Sequence, residues 1–355
     1  MSDIRQINPQ RRRMLIGTAA LSGSALLTLP SFGVAQSGLG KISYGQGSID
    51  PIFTAGYVAL KQGYFDQFGL QVDYLNSQSG PRTNQLLAAG QILFGATAAT
   101  AAPALTIAGK PATLIFGFDR RMTYANVLVR KADYDSGKFR SLKDLAGQKV
   151  GATQPGSVTA LMAVYLMQQA GIASSVDIRP LGDLATMLGA LKTGSVAATM
   201  ATASMMEQAI AEGWGIPIFN GTQDQVWNEY MKGDVPGIAA YTLADTIQKR
   251  PEVVQAFVSG LVKAQDFING NTAEAITETI YDAYLNALTR SSVLEAVRLY
   301  KQTVWLPDNI ITEDAYKRMA GIMGDGRQFS NEQMATVPYS RCVDMSFVRK
   351  ARGIA

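Results

Sequence analysis

Residues 154–159 read QPGSVT, and a long apolar run follows at once. A Pro-Gly turn leading into Ser157, Val158 and Thr159 is the pattern of a helix start. The first amides of a helix have no partner inside it and carry a partial positive charge. Ser157 and Thr159 can cap some of them. Gly156, with no side chain, leaves the others open to a bound molecule. The chemistry on offer is recognition of an anion or another acceptor by main-chain donors, not bond making.

The same arrangement recurs at four other places where a strand-like segment gives way to a helix. Gln46 to Asp50 carries Gln46, Ser48 and Asp50. Ser77 to Arg82 carries Ser79, Gly80 and Arg82. Ala96 to Thr100 offers Thr97 and Thr100, and Ala201 to Ser204 offers Thr202 and Ser204. Asp50, just before Pro51, suits an N-cap better than a ligand contact. Arg82 sits where a cation is locally unfavourable, which suits a role in holding an anion. Asp119, Arg120 and Arg121 follow an apolar strand and read as an ion-paired hinge, with Asp119 a further candidate for the site.

Other chemistries are excluded by composition. The 355 residues contain no histidine and one cysteine, Cys342. That removes His-dependent triads, His-ligated metals and any internal disulfide, so no catalytic residue, metal or cofactor is expected. GQGSID at 45–50 approaches a dinucleotide fingerprint, but Asp50 replaces its third glycine and would set a negative charge beside a pyrophosphate.

The elements that must carry these helix starts alternate. Strands are expected at 41–45, 69–75, 92–96, 112–118 and 126–130. A second set is expected at 148–152, 176–181, 196–201, 216–219 and 237–243. Helices lie between them. The order implies mostly parallel α/β sheets flanked by helices. After residue 243 the pattern turns helical, with long helices at 272–288 and 291–304 among those expected. Such an order suits a second lobe, 126–236, inserted into a first lobe of 36–125 and 237–355. Polar segments at 119–126 and 224–236 are the expected crossings.

Residues 1–35 read as an export signal. Arg11 to Arg13 precede an uncharged apolar stretch, and Gly33 and Ala35 form a small-residue exit. Arg-Arg-Arg-Met-Leu resembles the twin-arginine motif, with the Sec route as the other possibility. Four of the 32 basic residues but one of the 28 acids fall in this segment. The remainder is nearly neutral, which gives no basic footprint for nucleic acid. No cysteine follows the apolar stretch, so a periplasmic protein is expected rather than a lipoprotein.

Several stretches then carry a resemblance. They are AGYVALKQGYFDQFGLQVDYL, NQLLAAGQILFGATAATAAPALTIAGKPATLIF, SLKDLAGQKVGATQPGSVTALM and RPEVVQAFVSGLVKAQDFINGN. In this order they resemble the periplasmic solute-binding proteins of ABC importers in the nitrate, sulfonate and taurine group. One departure is Leu93 after Ile92, where many relatives carry Asp. The resemblance implies a two-lobed periplasmic-binding-protein fold of type II with the ligand in a cleft between lobes. It also implies delivery to an inner-membrane permease and ATPase. A monomer is expected. A sulfonate or other small organic anion is the leading ligand. An aromatic acid or pyrimidine, with Tyr44, Phe118 and Trp214 as possible ring contacts, and a ligand-presenting sensor role are the alternatives. The thiamine-pyrimidine synthases among the relatives consume a histidine of their own chain, which this chain lacks. The expected processing is testable: N-terminal sequencing of the periplasmic fraction should begin near Gln36, and full-length chain in the membrane fraction would contradict it.

Overall fold

The computed structural model describes residues 38–326 and 328–354, so the expected export segment lies outside the described residues. The first sheet is built from β1 (Gly40–Gln46), β2 (Leu70–Asn76), β3 (Phe94–Ala98) and β4 (Ala112–Gly117). A second sheet takes β5 (Asn126–Arg130), β6 (Lys149–Ala152), β7 (Asp177–Pro180), β8 (Ala198–Ala201) and β9 (Gly215–Phe219). β10 (Ile238–Leu243) then returns to the first. The orders are β2-β1-β3-β10-β4 and β7-β6-β8-β5-β9.

Helices fill the connections. They are α1 (Thr54–Lys61), α2 (Gly80–Ala88), α3 (Ala101–Ile107), α4 (Lys131–Asp135), α5 (Val158–Gln169), α6 (Leu184–Thr193), α7 (Ala203–Ala211) and α8 (Asp224–Met231). The C-terminal part adds α9 (Ala244–Lys249), α10 (Pro251–Gly270), α11 (Ala273–Ile280), α12 (Arg290–Leu299) and α13 (Glu313–Asp325). The long α10 lays Phe257 on the first sheet, with its ring stacked on Phe94 at 4.0 Å and on Phe65 at 5.1 Å.

Both sheets share one plan. Four strands run the same way and one opposes them: β10 in the first, β5 in the second. The opposed strand is the one by which the chain arrives from the other sheet. Asn126, the first residue of β5, pairs with Ala201 at the end of β8. Ile238, the first of β10, pairs with Ala98 at the end of β3. Each crossing therefore joins carboxyl edge to carboxyl edge, and the helix starts that follow those edges are turned towards one another.

The two crossings are tied together. Asp119 Oδ1 accepts from Gly237 N at 2.5 Å and from Ile238 N at 3.0 Å. The amide of Val235 donates to the carbonyl of Arg120 at 2.8 Å. A Cβ on Gly237 would lie 2.7 Å from both Arg121 O and Met122 Cα, so only glycine lets these backbones meet. The expected ion pairing is made by Arg121, which bonds to Asp224 and to the carbonyl of Thr222. Asp119 pairs with amides instead.

Three expectations are corrected in detail. The strand expected at 92–96 lies at 94–98, because Ile92 turns inward against Gly45 before pairing begins. The expected second crossing begins as helix α8, because Trp227 and Met231, four apart, are both buried. The long helices expected at 272–288 and 291–304 end in wider π-helical turns, Tyr281–Leu285 and Tyr300–Val304.

Replacing Asp119 with Ala leaves two buried amides without an acceptor. It should lower the unfolding free energy by about 2–4 kcal/mol in urea titrations, and Asp119→Asn, which keeps an acceptor, should lose clearly less.

Candidate functional site

Between the carboxyl edges lies a cavity of about 40 Å³. Its wall is built from the starts of α2 and α5 and the Thr100–Ala101 turn, with Ser48 and Tyr124 closing one side. At α2, Ser79 is extended (φ −154°) and its Oγ accepts from Arg82 N at 3.4 Å. A Cβ on Gly80 would stand 2.6 Å from Thr97 Oγ1, so glycine is what lets α2 begin against β3. At α5, Ser157 Oγ accepts from Ala160 N at 3.2 Å and from Gln154 N at 3.4 Å. Thr159 Oγ1 accepts from Thr153 N at 2.9 Å and shares a hydrogen bond with Ser157. Both hydroxyls are thus engaged in shaping the turn. The amides of Gly80, Val158 and Thr159, like those of Thr100 and Ala101, have no acceptor among the described residues. They are the free donors of the site.

The two sides already touch. Ser79 Oγ donates to Gln154 Oε1 at 3.2 Å, and Ser48 Oγ lies 2.9 Å from Tyr124 OH. A cavity this size is far below the ~300 Å³ and upward of typical ligand pockets.

Among the described residues no charged side chain lines the cavity. Any attraction for an anion comes from amide dipoles and neutral side-chain donors such as Asn84 and Tyr124. Beside the cavity, Asp50 is wholly buried. It caps the turn after β1 through Ile52 N (2.9 Å), accepts from Ser204 Oγ (2.6 Å) and meets Tyr300 OH at 3.2 Å. The network joins β1, α7 and the turn after α12. Burial drives the Asp50 carboxyl above its ordinary 3.8, against the lowering effect of these hydrogen bonds.

Of the residues singled out in the sequence, Ser48, Ser79, Gly80, Thr97, Thr100, Gly156, Ser157 and Thr159 come together around the cavity. Gln46 lies just behind them, fully buried, with both side-chain amide atoms unpartnered. Asp50, Thr202 and Ser204 form the adjoining network, Thr202 as the cap of α7. Arg82 is exposed and does not line the cavity, and Asp119 belongs to the crossings. Tyr44 and Phe118 are core residues, whereas Trp214 is half-buried on a groove at the cavity's mouth. Sequence reading missed Asn84, Tyr124, Thr153 and Leu184. Asn84 follows Gly80 by four on the same face of α2. Leu184 follows the Asp183 cap of α6, a handover of the same kind as the other five.

This geometry is that of a periplasmic-binding-protein fold, and comparison with solved structures agrees. A protein of Bordetella bronchiseptica RB50 superposes with a TM-score of 0.78 at 21% identity, covering 88% of this chain and 97% of that one. The alkanesulfonate-binding protein SsuA of Xanthomonas axonopodis pv. citri, solved with MOPS bound, gives 0.67 at 15% identity, covering 86% and 98%. YtlA of Bacillus subtilis (strain 168), which carries the name of a binding protein, is 22% identical over 299 residues, 83% of this chain and 84% of its own. The NMT1-like family matches residues 51–281, and the chain belongs to it.

The raised Asp50 carboxyl has a sign that can be tested. The folded state holds this proton more tightly than the unfolded chain does. Its contribution is complete below the ordinary value of 3.8 and is lost as pH rises towards the raised one. Asp50→Asn cannot titrate, so its stability relative to wild type should climb with pH from about 4 upward. Paired urea titrations across pH 4–8 would show this, and a constant difference would refute it.

Proposed function

We propose that this chain is the extracytoplasmic solute-binding component of an ABC importer. In this reading it captures a small organic anion between two lobes, residues 36–125 with 237–355 and residues 126–236, and presents it to a membrane permease and its ATPase. The export segment of residues 1–35 would deliver it to the periplasm as a soluble protein.

The observation that carries this reading is the convergence of unpaired helix-start amides from both sheets on one cavity. Several donors on opposed surfaces can surround one acceptor-rich group, and each surface alone offers only half the set. That gives binding an interest in closure, as in hinge-closing receptors. Within the described residues no group of acidic, cysteine or histidine side chains is placed to hold a metal. Binding of an alkanesulfonate by the Xanthomonas relative is in keeping with an anionic head.

The amide-lined wall defines the test. Ala101 is 3% exposed and lines the cavity. Ala101→Leu should fill it and weaken binding of the best small anion by at least tenfold in calorimetry. Its thermal unfolding should stay near wild type. Arg82→Ala should change that affinity less than twofold. Failure of every sulfonate, carboxylate and oxyanion in a thermal-shift panel, with a neutral heterocycle binding instead, would overturn the anion assignment.

A further inference from the structure

The run Asp119-Arg120-Arg121 contains one charge that the crossings do not use. Asp119 takes the amides of the returning chain, and Arg121 takes Asp224. Arg120 is fixed by its neighbours without meeting an acid. Its amide donates to the carbonyl of Val304 at 3.0 Å, and its own carbonyl accepts from Val235. Its Nε donates to the carbonyl of Thr303 at 3.1 Å, which sets the direction of the guanidinium. Both terminal nitrogens of the fork are left without an acceptor among the described residues.

Arg120 lines a pocket of about 110 Å³, away from the cleft, walled by the end of α10 and the turn Tyr300–Val304. Lys301 lines the same pocket. Its Nζ donates to the carbonyls of Ile268 (2.6 Å) and Asn269 (3.1 Å), two of the last acceptors of α10. An ammonium has three protons, so one remains. Burial lowers the proton affinity of Lys301 below its ordinary 10.5. Among the described residues no Asp or Glu lines the pocket. Asp224 feels the charge of Arg120 but bonds to Arg121.

The neutral amides of the wall are spent on one another. Gln265 Nε2 donates to Asn269 Oδ1 at 2.9 Å, and Asn269 Nδ2 donates to the carbonyl of Pro307 at 3.0 Å. The unanswered donors are therefore the two cations, both half-buried and both held from behind. Cations that share a pocket repel, and an anion between them replaces that repulsion with attraction. The volume holds several waters at ~30 Å³ each, and so one small oxyanion.

We propose that this pocket is an anion site at the crossings, taking a small oxyanion such as sulfate or phosphate between the Arg120 fork and the Lys301 ammonium. Two charge-assisted contacts of this kind suit a tetrahedral ion, and the guanidinium can meet two of its oxygens at once. A bound ion would tie the first crossing to the Tyr300–Val304 turn and to the end of α10. The site is separate from the amide-lined cavity and does not depend on what that cavity binds.

The experiment is calorimetric titration of sodium sulfate, and separately of sodium phosphate, at an ionic strength held constant with sodium chloride. It is run on wild type and on Ala101→Leu, which fills the cleft cavity. Saturable binding should persist in Ala101→Leu. Adding Arg120→Gln or Lys301→Gln to that background should weaken it at least tenfold. Lys301→Arg keeps the charge and should stay within about threefold, which separates loss of charge from loss of fold. Binding that is lost in Ala101→Leu but untouched by Arg120→Gln and Lys301→Gln puts the anion in the cleft. That result overturns this site and leaves the cleft reading standing. Binding in Ala101→Leu that survives both charge substitutions also overturns the site, as does the absence of saturable binding of either ion in that variant.

Discussion

The Asp119 carboxylate accepts from two successive amides of the returning chain, and this makes the two crossings a single object. Much follows from that contact. Because both crossings run between carboxyl edges, each sheet must admit one strand that opposes its neighbours. Because the edges are brought together there, helix starts that would otherwise face solvent face each other. A buried carboxylate with no cationic partner is an unusual joint. Burial pushes its proton affinity well up, and hydrogen bonds from the amides of Ile238, Gly237 and Arg121 offset this in part.

The cavity wall offers unpaired backbone amides, and side chains shape the turns that carry them. Ser79, Ser157 and Thr159 spend their hydroxyls on caps and turn contacts, which fixes where the remaining amides point. Caps of this kind hold the amide dipoles of each helix start in a set direction. Among the described residues no arginine or lysine lines the cavity wall.

Much of this was legible in the sequence, for identifiable reasons. The strand at Asn126–Arg130 was placed to the residue, and most helix starts were found, because caps and Pro-Gly turns are local signals. Periodicity could not tell that Ile92 and Leu93 precede their strand, since inward-facing apolar residues look alike on either side of a boundary. Nor could it see the π-helical turn at Tyr300, whose hydroxyl meets Asp50, far away in the chain. Arg82 was read from its position at a helix start. Which way a long side chain leaves a helix is decided by neighbours the sequence does not name. Leu184 was passed over because an apolar residue behind a cap reads as core, and only the folded α6 shows that it has two apolar faces.

The placement of β10 between β3 and β4 has a consequence for how the molecule comes to exist. Until the whole second sheet has been synthesised and the chain has returned, the first sheet lacks an interior strand, and both flanking strands carry unpaired edges. Sheet edges left open in this way invite pairing with other chains. Contacts between such distant parts of a sequence also form slowly. The nascent protein therefore passes through an interval in which two strands that end up fully buried, Phe94–Ala98 and Ala112–Gly117, are open to strangers. The strand that completes the first sheet is thus also the one that closes its most exposed edges, and it comes last of the ten.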